Sequence, residues 1–103
     1  MRNQVTEVKP GPPRVLRVSF ADGFEGTFDV APDIARFEMF APLADDKLFA
    51  KVAIGGGGYR VGWLLDDFGN EIDYSSETVR NELETAAVRS LAKDHRARLE
   101  AAE

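Results

Sequence analysis

Residues 14–30 carry the clearest hydrophobic pattern in the chain, a two-residue alternation. Leu16, Val18 and Phe20 share one parity; Val15, Arg17 and Ser19 share the other. That period predicts a strand with one buried face. Ala21-Asp22-Gly23 follows, and Asp-Gly favours a tight hairpin turn because glycine takes positive φ at little cost. Phe24 to Val30 then alternates again, with Gly26, Phe28 and Val30 opposite Glu25, Thr27 and Asp29. The two runs predict an antiparallel hairpin.

The rest of the pattern is shorter-ranged. Val5-Thr6-Glu7-Val8 reads as a short strand, stopped by Lys9-Pro10-Gly11-Pro12-Pro13. After the breaker Ala31-Pro32-Asp33, the residues Ile34, Phe37, Phe40 and Leu43 recur every third position. This spacing suggests helical turns or a packed loop, and Pro42 prevents one long helix. Asp45 or Asp46 is placed to cap a short helix carrying Leu48 and Phe49 inward. Val52-Ala53-Ile54 and Tyr59 to Leu64 form a second predicted hairpin around the glycines 55–58, with Tyr59, Val61 and Trp63 on one face. Leu65 to Asn70 is a polar loop, and Glu71-Ile72-Asp73-Tyr74 a short strand. Ser75 or Ser76 then caps a helix whose inward stripe is Val79, Leu83, Ala86, Ala87 and Leu91. Past Leu91 the stripe thins to His95 and Leu99.

These elements predict an α+β fold: a small, mainly antiparallel sheet of four or five strands, with the C-terminal helix packed on one face. Leu16, Val18, Phe20, Phe28, Val30, Phe49, Val52, Val61, Trp63, Ile72, Val79 and Leu83 are expected to supply most of its core. At 103 residues the chain supports one core and not two. The expected organisation is therefore one domain, with residues 1–80 as its α+β part and the helix 76–103 belonging to it.

Composition narrows the chemistry. There are no cysteines, which removes disulfides, thiolate nucleophiles and thiolate metal sites together and fits a reducing compartment. Nothing at the amino terminus reads as a signal peptide, and no apolar run approaches the roughly 20 residues that cross a bilayer. A cytoplasmic protein without membrane association is expected. The formal net charge is −5, which disfavours a nucleic-acid partner. The acid is uneven: residues 31–75 hold 8 acidic and 4 basic side chains, whereas residues 76–103 hold 6 and 5.

The ordered series of these motifs resembles a bacterial family of unknown function, DUF2442. The resemblance runs from Val5-x-x-Val8 through Leu16-x-Val18-x-Phe20-x-Asp22-Gly23 and Phe28-Asp29-Val30. It continues in Phe40-x-x-Leu43, Phe49-x-x-Val52, Val61-x-Trp63 and Glu71-Ile72-Asp73, covering residues 4–80. It implies a small α+β domain on antiparallel strands, with no established activity. Some members carry an added helix-turn-helix domain, and others sit beside small toxin-like partners, which implies a regulatory or antitoxin-like role. This chain departs from that pattern in a longer Leu64 to Asn70 segment and in a helix that runs past the usual end.

Each candidate site meets a stated requirement poorly. The glycines 55–58 lead into strand-like Tyr59-Arg60-Val61, whereas a phosphate cradle leads into a helix. Asp66, Asp67, Asn70, Glu71 and Asp73 form the densest oxygen cluster and the candidate ligand loop, but without EF-hand spacing. His95, the single histidine, lies late in a charged helix beside Asp94 and Arg96. Trp63 reads as core rather than as a ligand-stacking ring. No catalytic residue, cofactor or metal site is expected, and the chain does not read as an enzyme. Leu91, His95 and Leu99 form a narrow i, i+4 seam suited to another small protein or to a second copy. The expected function is a non-enzymatic protein-interaction or regulatory accessory domain. The alternative is small-ligand or divalent-cation binding through loop 66–73.

Overall fold

A computed structural model of the chain describes residues 3–102, with side chains through Arg96. The alternating hairpin forms as its parity requires. Strand β2 (Val15–Phe20) pairs antiparallel with β3 (Glu25–Asp29), in a register that sets Leu16 opposite Phe28 and Val18 opposite Gly26. One face is buried, so a one-residue slip would expose Leu16, Val18 and Phe28 together.

Strand β1 (Val5–Gly11) pairs with the other side of β2 and runs further than expected, through Lys9 and Pro10. Proline is tolerated there because β1 is an edge strand, where a missing amide breaks no inner ladder bond. The order β1-β2-β3 completes one sheet.

A second three-stranded sheet takes the place of the expected additions to the first. Strands β4 (Ala53–Gly55), β5 (Arg60–Trp63) and β6 (Ile72–Ser75) pair antiparallel in chain order. The physical reason is the segment between β3 and β4. It folds as helix α1 (Ala31–Arg36), a 3₁₀ segment (Glu38–Ala44) and the single turn α2 (Asp46–Phe49), which carry the chain away from β3 before the next strand starts. The expected cap of α2 is Asp45, whose carboxylate accepts the Lys47 amide at 3.3 Å. The two sheets meet edge to edge: Gln4 Nε2 donates to the Gly57 carbonyl at 3.1 Å. At Gly58 (φ 103°) a Cβ would lie 2.8 Å from the Val5 carbonyl oxygen, so only glycine permits this approach.

The core lies between the sheets, the helical segment and the start of the last helix. All the expected core residues are buried except Val52, which is half-buried against it; Val5, Phe40, Leu43 and Tyr74 join them. Trp63 is fully buried, donates from Nε1 to the Phe49 carbonyl at 2.9 Å and stacks on the Phe49 ring. Tyr59, expected beside Val61 and Trp63, is 40% exposed, because it precedes β5 in a turn rather than within the strand.

Helix α3 (Ser76–Ala102) starts under a Ser75 cap, whose Oγ accepts the Thr78 amide at 3.2 Å. Val79 and Leu83 are buried, and Leu83 packs over Gly26 of β3. The remainder of the expected inward stripe, Ala86, Ala87 and Leu91, is exposed. The body ends at β3 while the helix continues, so residues 84–102 project as an arm of about 28 Å at 1.5 Å per residue.

Candidate interaction surfaces

The arm is rooted by a charged residue that its pattern disguises. Arg80 follows Val79 in the first turns of α3, yet it is buried. Its guanidinium grips Asp22 through two hydrogen bonds of 3.0 and 2.9 Å and donates to Glu84 Oε1 at 3.1 Å. It also lies over the Phe24 ring at 4.1 Å and the Phe20 ring at 5.0 Å, both from the first hairpin. The Arg80 hydrogen bonds, with help from the Phe24 amide, hold the Asp22 carboxyl below its usual 3.8, at about 2. The hairpin turn and the root of α3 are thus riveted together.

Beyond that root the helix presents different faces. Val88 is 65% exposed and Leu91 70% exposed, with His95 exposed on the same side at i, i+3, i+7 spacing. Arg89, Lys93 and Arg96, at i, i+4, i+7, form a basic stripe about 130° round the helix from it. Leu99, the last residue of the expected seam, lies outside the residues whose side chains are described. Leu91 and His95 therefore stand exposed on one helix face.

The acidic loop behaves as a turn rather than as a cage. Asn70 Nδ2 donates to Asp67 Oδ1 at 3.0 Å, and the Gly69 amide donates to Glu71 Oε1. Asp73 Oδ2 accepts from Arg60 Nε at 2.7 Å, a partner in the neighbouring strand. Asp66 and Asp67 are exposed. Among the described residues, no three His, Cys, Asp or Glu side chains gather as a metal would need.

What the loop does build is a groove. Its walls are Glu38, Met39 and Pro42 from the 3₁₀ segment and Leu64, Asp67 and Glu71 from the β5–β6 connection, enclosing about 380 Å³. Met39 is 53% exposed and Leu64 41% exposed; Phe68, at the loop tip, is 97% exposed. Leu64 adopts φ 57°, a left-handed conformation costly for a side chain other than glycine. No lysine or arginine lines this groove. Sequence reading missed it because its walls come from segments some 25 residues apart, each of which reads as an ordinary loop.

A second cleft of about 320 Å³ lies between α1, β6 and α3. Tyr74 Oη donates to Asp33 Oδ2 there at 2.6 Å. Burial first, and then this bond, push the Tyr74 hydroxyl above its usual range, so it stays a proton donor to Asp33. The bond pins α1 to β6. Asp29 and Glu82 on the rim are exposed, and Asp29 accepts the Ala31 amide at 3.0 Å. The carboxylates thus face water or serve the backbone.

Comparison with known proteins places the body. Residues 5–82 match the family described as "Protein of unknown function (DUF2442)". The chain belongs to the DUF2442 family. The DUF2442 match spans both sheets and the helices between them, and it ends beside Leu83, the last buried side chain of α3 among the described residues. The arm lies beyond the DUF2442 segment. No curated protein and no solved structure matches the chain. Among the described residues no helix is long and apolar enough to cross a membrane.

Proposed function

We propose that this DUF2442 chain is a non-enzymatic protein-interaction module of the cytoplasm, a regulatory accessory that engages another small protein or a second copy through its arm. The observation that carries this reading is the arm itself, a helix continuing about 28 Å past its last buried side chain. An isolated helix of that length is marginal in water, and tertiary packing normally supplies its stability. Here every described side chain of α3 after Glu84 is exposed, so the body supplies little. The antitoxin-like setting rests on the family resemblance alone, since some members of the family sit beside small toxin-like partners.

The test compares the full chain with one ending at Ala86, both cross-linked in cell extract. The shortened chain is expected to melt as the full chain does, followed by the fluorescence of the single tryptophan, Trp63. Only the full chain is expected to yield a cross-linked complex. Recovery of the full chain solely as a monomer would overturn the reading.

A further inference from the structure

Strand β3 ends its sheet, so one side of its backbone faces no neighbouring strand. The Val30 amide donates to the Arg14 carbonyl at 2.9 Å, and the Phe20 amide to the Phe24 carbonyl at 2.8 Å. Bonded and open pairs alternate along an antiparallel ladder, so Gly26 and Phe28 also turn their amides and carbonyls toward β2. Glu25, Thr27 and Asp29 then turn theirs outward. The opposite edge, β1, is blunted by Pro10 and abuts the second sheet through Gln4. Strand β3 carries neither proline nor lysine, and its register has no bulge.

Helix α3 crosses this open edge. On one flank Arg80 reaches Asp22 and Phe24; on the other, Glu82 and Ala86 line a cavity of about 230 Å³ with Thr27, Phe28 and Asp29. Opposite flanks of the helix thus meet opposite ends of β3, and Leu83 sits over Gly26 between them. At 1.5 Å per residue, Ala86 and Ala87 stand about 5 Å beyond Leu83, which is one strand spacing. Both point within about 60° of the Leu83 direction. They overhang the position that a further strand beside β3 would take.

We propose that β3 accepts an extended segment of another protein as a fourth strand beneath the arm, and that this segment alternates basic with small apolar residues. This names the seat and the chemistry of the partner, and it rests on the arm being the interaction element. The outward groups of Glu25, Thr27 and Asp29 supply the main-chain bonds. The small apolar side chains enter the cavity below Ala86, beside Phe28 and Leu83. The basic side chains lie on the open face, with Glu25 and Asp29. Glu25 already pairs with Arg17, but among the described residues no basic side chain forms an ion pair with Asp29 or Glu82, Arg36 of the adjoining cleft included. The same charges disfavour a second copy: its β3, paired antiparallel about Thr27, would set Glu25 opposite Asp29 at both ends.

The probe is a capped peptide alternating lysine with valine, added to the full chain. Amide hydrogen exchange, read residue by residue by NMR, is expected to slow at least tenfold at Thr27 and Asp29. The Gly26 and Phe28 amides, already bonded to β2, are expected to change little. N-methylation of one alternate set of peptide amides is expected to abolish binding and of the other set to spare it, because one edge of the peptide faces β3. A peptide with glutamate in place of lysine is expected not to bind, and Glu82→Lys to weaken the lysine peptide severalfold at low salt. Thr27→Pro removes an outward amide that β2 does not use; it is expected to lose at least tenfold in affinity without altering the melting followed by Trp63. Should that variant fail to fold, the two N-methylated peptides decide the point. Unchanged exchange at Thr27 in millimolar peptide overturns the proposal. So does binding indifferent to the N-methylated set or to the peptide's charge, or equal binding by the chain ending at Ala86, which lacks the overhang. If the peptide fails while the full chain still cross-links through its arm in extract, β3 is not the seat and the interaction module stands. A full chain recovered from extract solely as a monomer overturns that reading, and this proposal with it.

Discussion

Replacing Arg80 separates two ways of holding the arm to the body. Its side chain is 8% exposed, while the Asp22 carboxylate it grips is 37% exposed. Cutting the pair therefore returns Asp22 to water rather than stranding a buried charge, and the larger cost falls on Arg80's own packing. The guanidinium over Phe24 and Phe20 contributes about 1 kcal/mol. The stem contributes about 2 kcal/mol more, at about 0.8 kcal/mol for each of the two methylenes that alanine lacks. Arg80→Ala is then expected to cost about 3 kcal/mol, and Arg80→Met, which keeps an apolar stem, about 1 kcal/mol. Urea unfolding followed by Trp63 fluorescence reads both, since the single tryptophan is fully buried. Equal losses for Ala and Met would refute the reasoning, because the charge and not the stem would then hold the root. A loss below about 0.5 kcal/mol for Ala would refute the rivet altogether.

Acid should expose the other half of the same contact. The Asp22 carboxyl is depressed to about 2 in the folded chain, so its stabilising effect is complete above 3.8 and is lost as pH falls through about 2. Melting temperatures of the wild type and Asp22→Asn are expected to differ at neutral pH and to converge as pH approaches 2; a constant difference would contradict this. The edge between the sheets is tested by two glycines. Gly58→Ala would put a Cβ 2.6 Å from Gln4 Cγ and 2.8 Å from the Val5 carbonyl. It is expected to cost about 3 kcal/mol in urea unfolding, against about 1 kcal/mol for Gly57→Ala, whose Cβ meets nothing within 4 Å.

Local periodicity reveals which face of an element is apolar, and that sufficed for the first hairpin. Leu16, Val18 and Phe20 alternate with charged and small residues, so one register alone buries them. The Asp45 and Ser75 caps were equally legible, because capping is a contact between near neighbours in the chain. Pairing partners are not local. Nothing in the alternation of Val61 and Trp63 states whether β5 joins β3 or starts a second sheet; the helical segment from Ala31 to Phe49 decides it. Arg80 was missed for the same reason. On a helix wheel it is an ordinary polar residue, and its partner Asp22 lies 58 positions away. The groove was hidden in the same way, since Met39 and Leu64 are neighbours only once the second sheet forms.

The hydrophobic pattern predicts an inward stripe of α3 that reaches Leu91, and the geometry of the helix shows why that continuation fails. At about 100° per residue, Val79 and Leu83 point in nearly one direction, whereas Val88, Leu91 and His95 cluster about 130° away from it. A longer β3 would therefore leave the second cluster uncovered, because it faces away from the sheet that Leu83 touches. The apolar residues of the arm are consequently not an unfinished part of the body's core. They form a separate face, set at a different angle, on the portion of α3 that begins where the family match ends. The rigid root supplied by Arg80 and Asp22 fixes that angle, so the direction of the arm is determined by the same fold that leaves its apolar stripe open. A surface held in a fixed direction loses little freedom on binding, and that is the condition under which a seam as narrow as Val88, Leu91 and His95 can serve as a docking element.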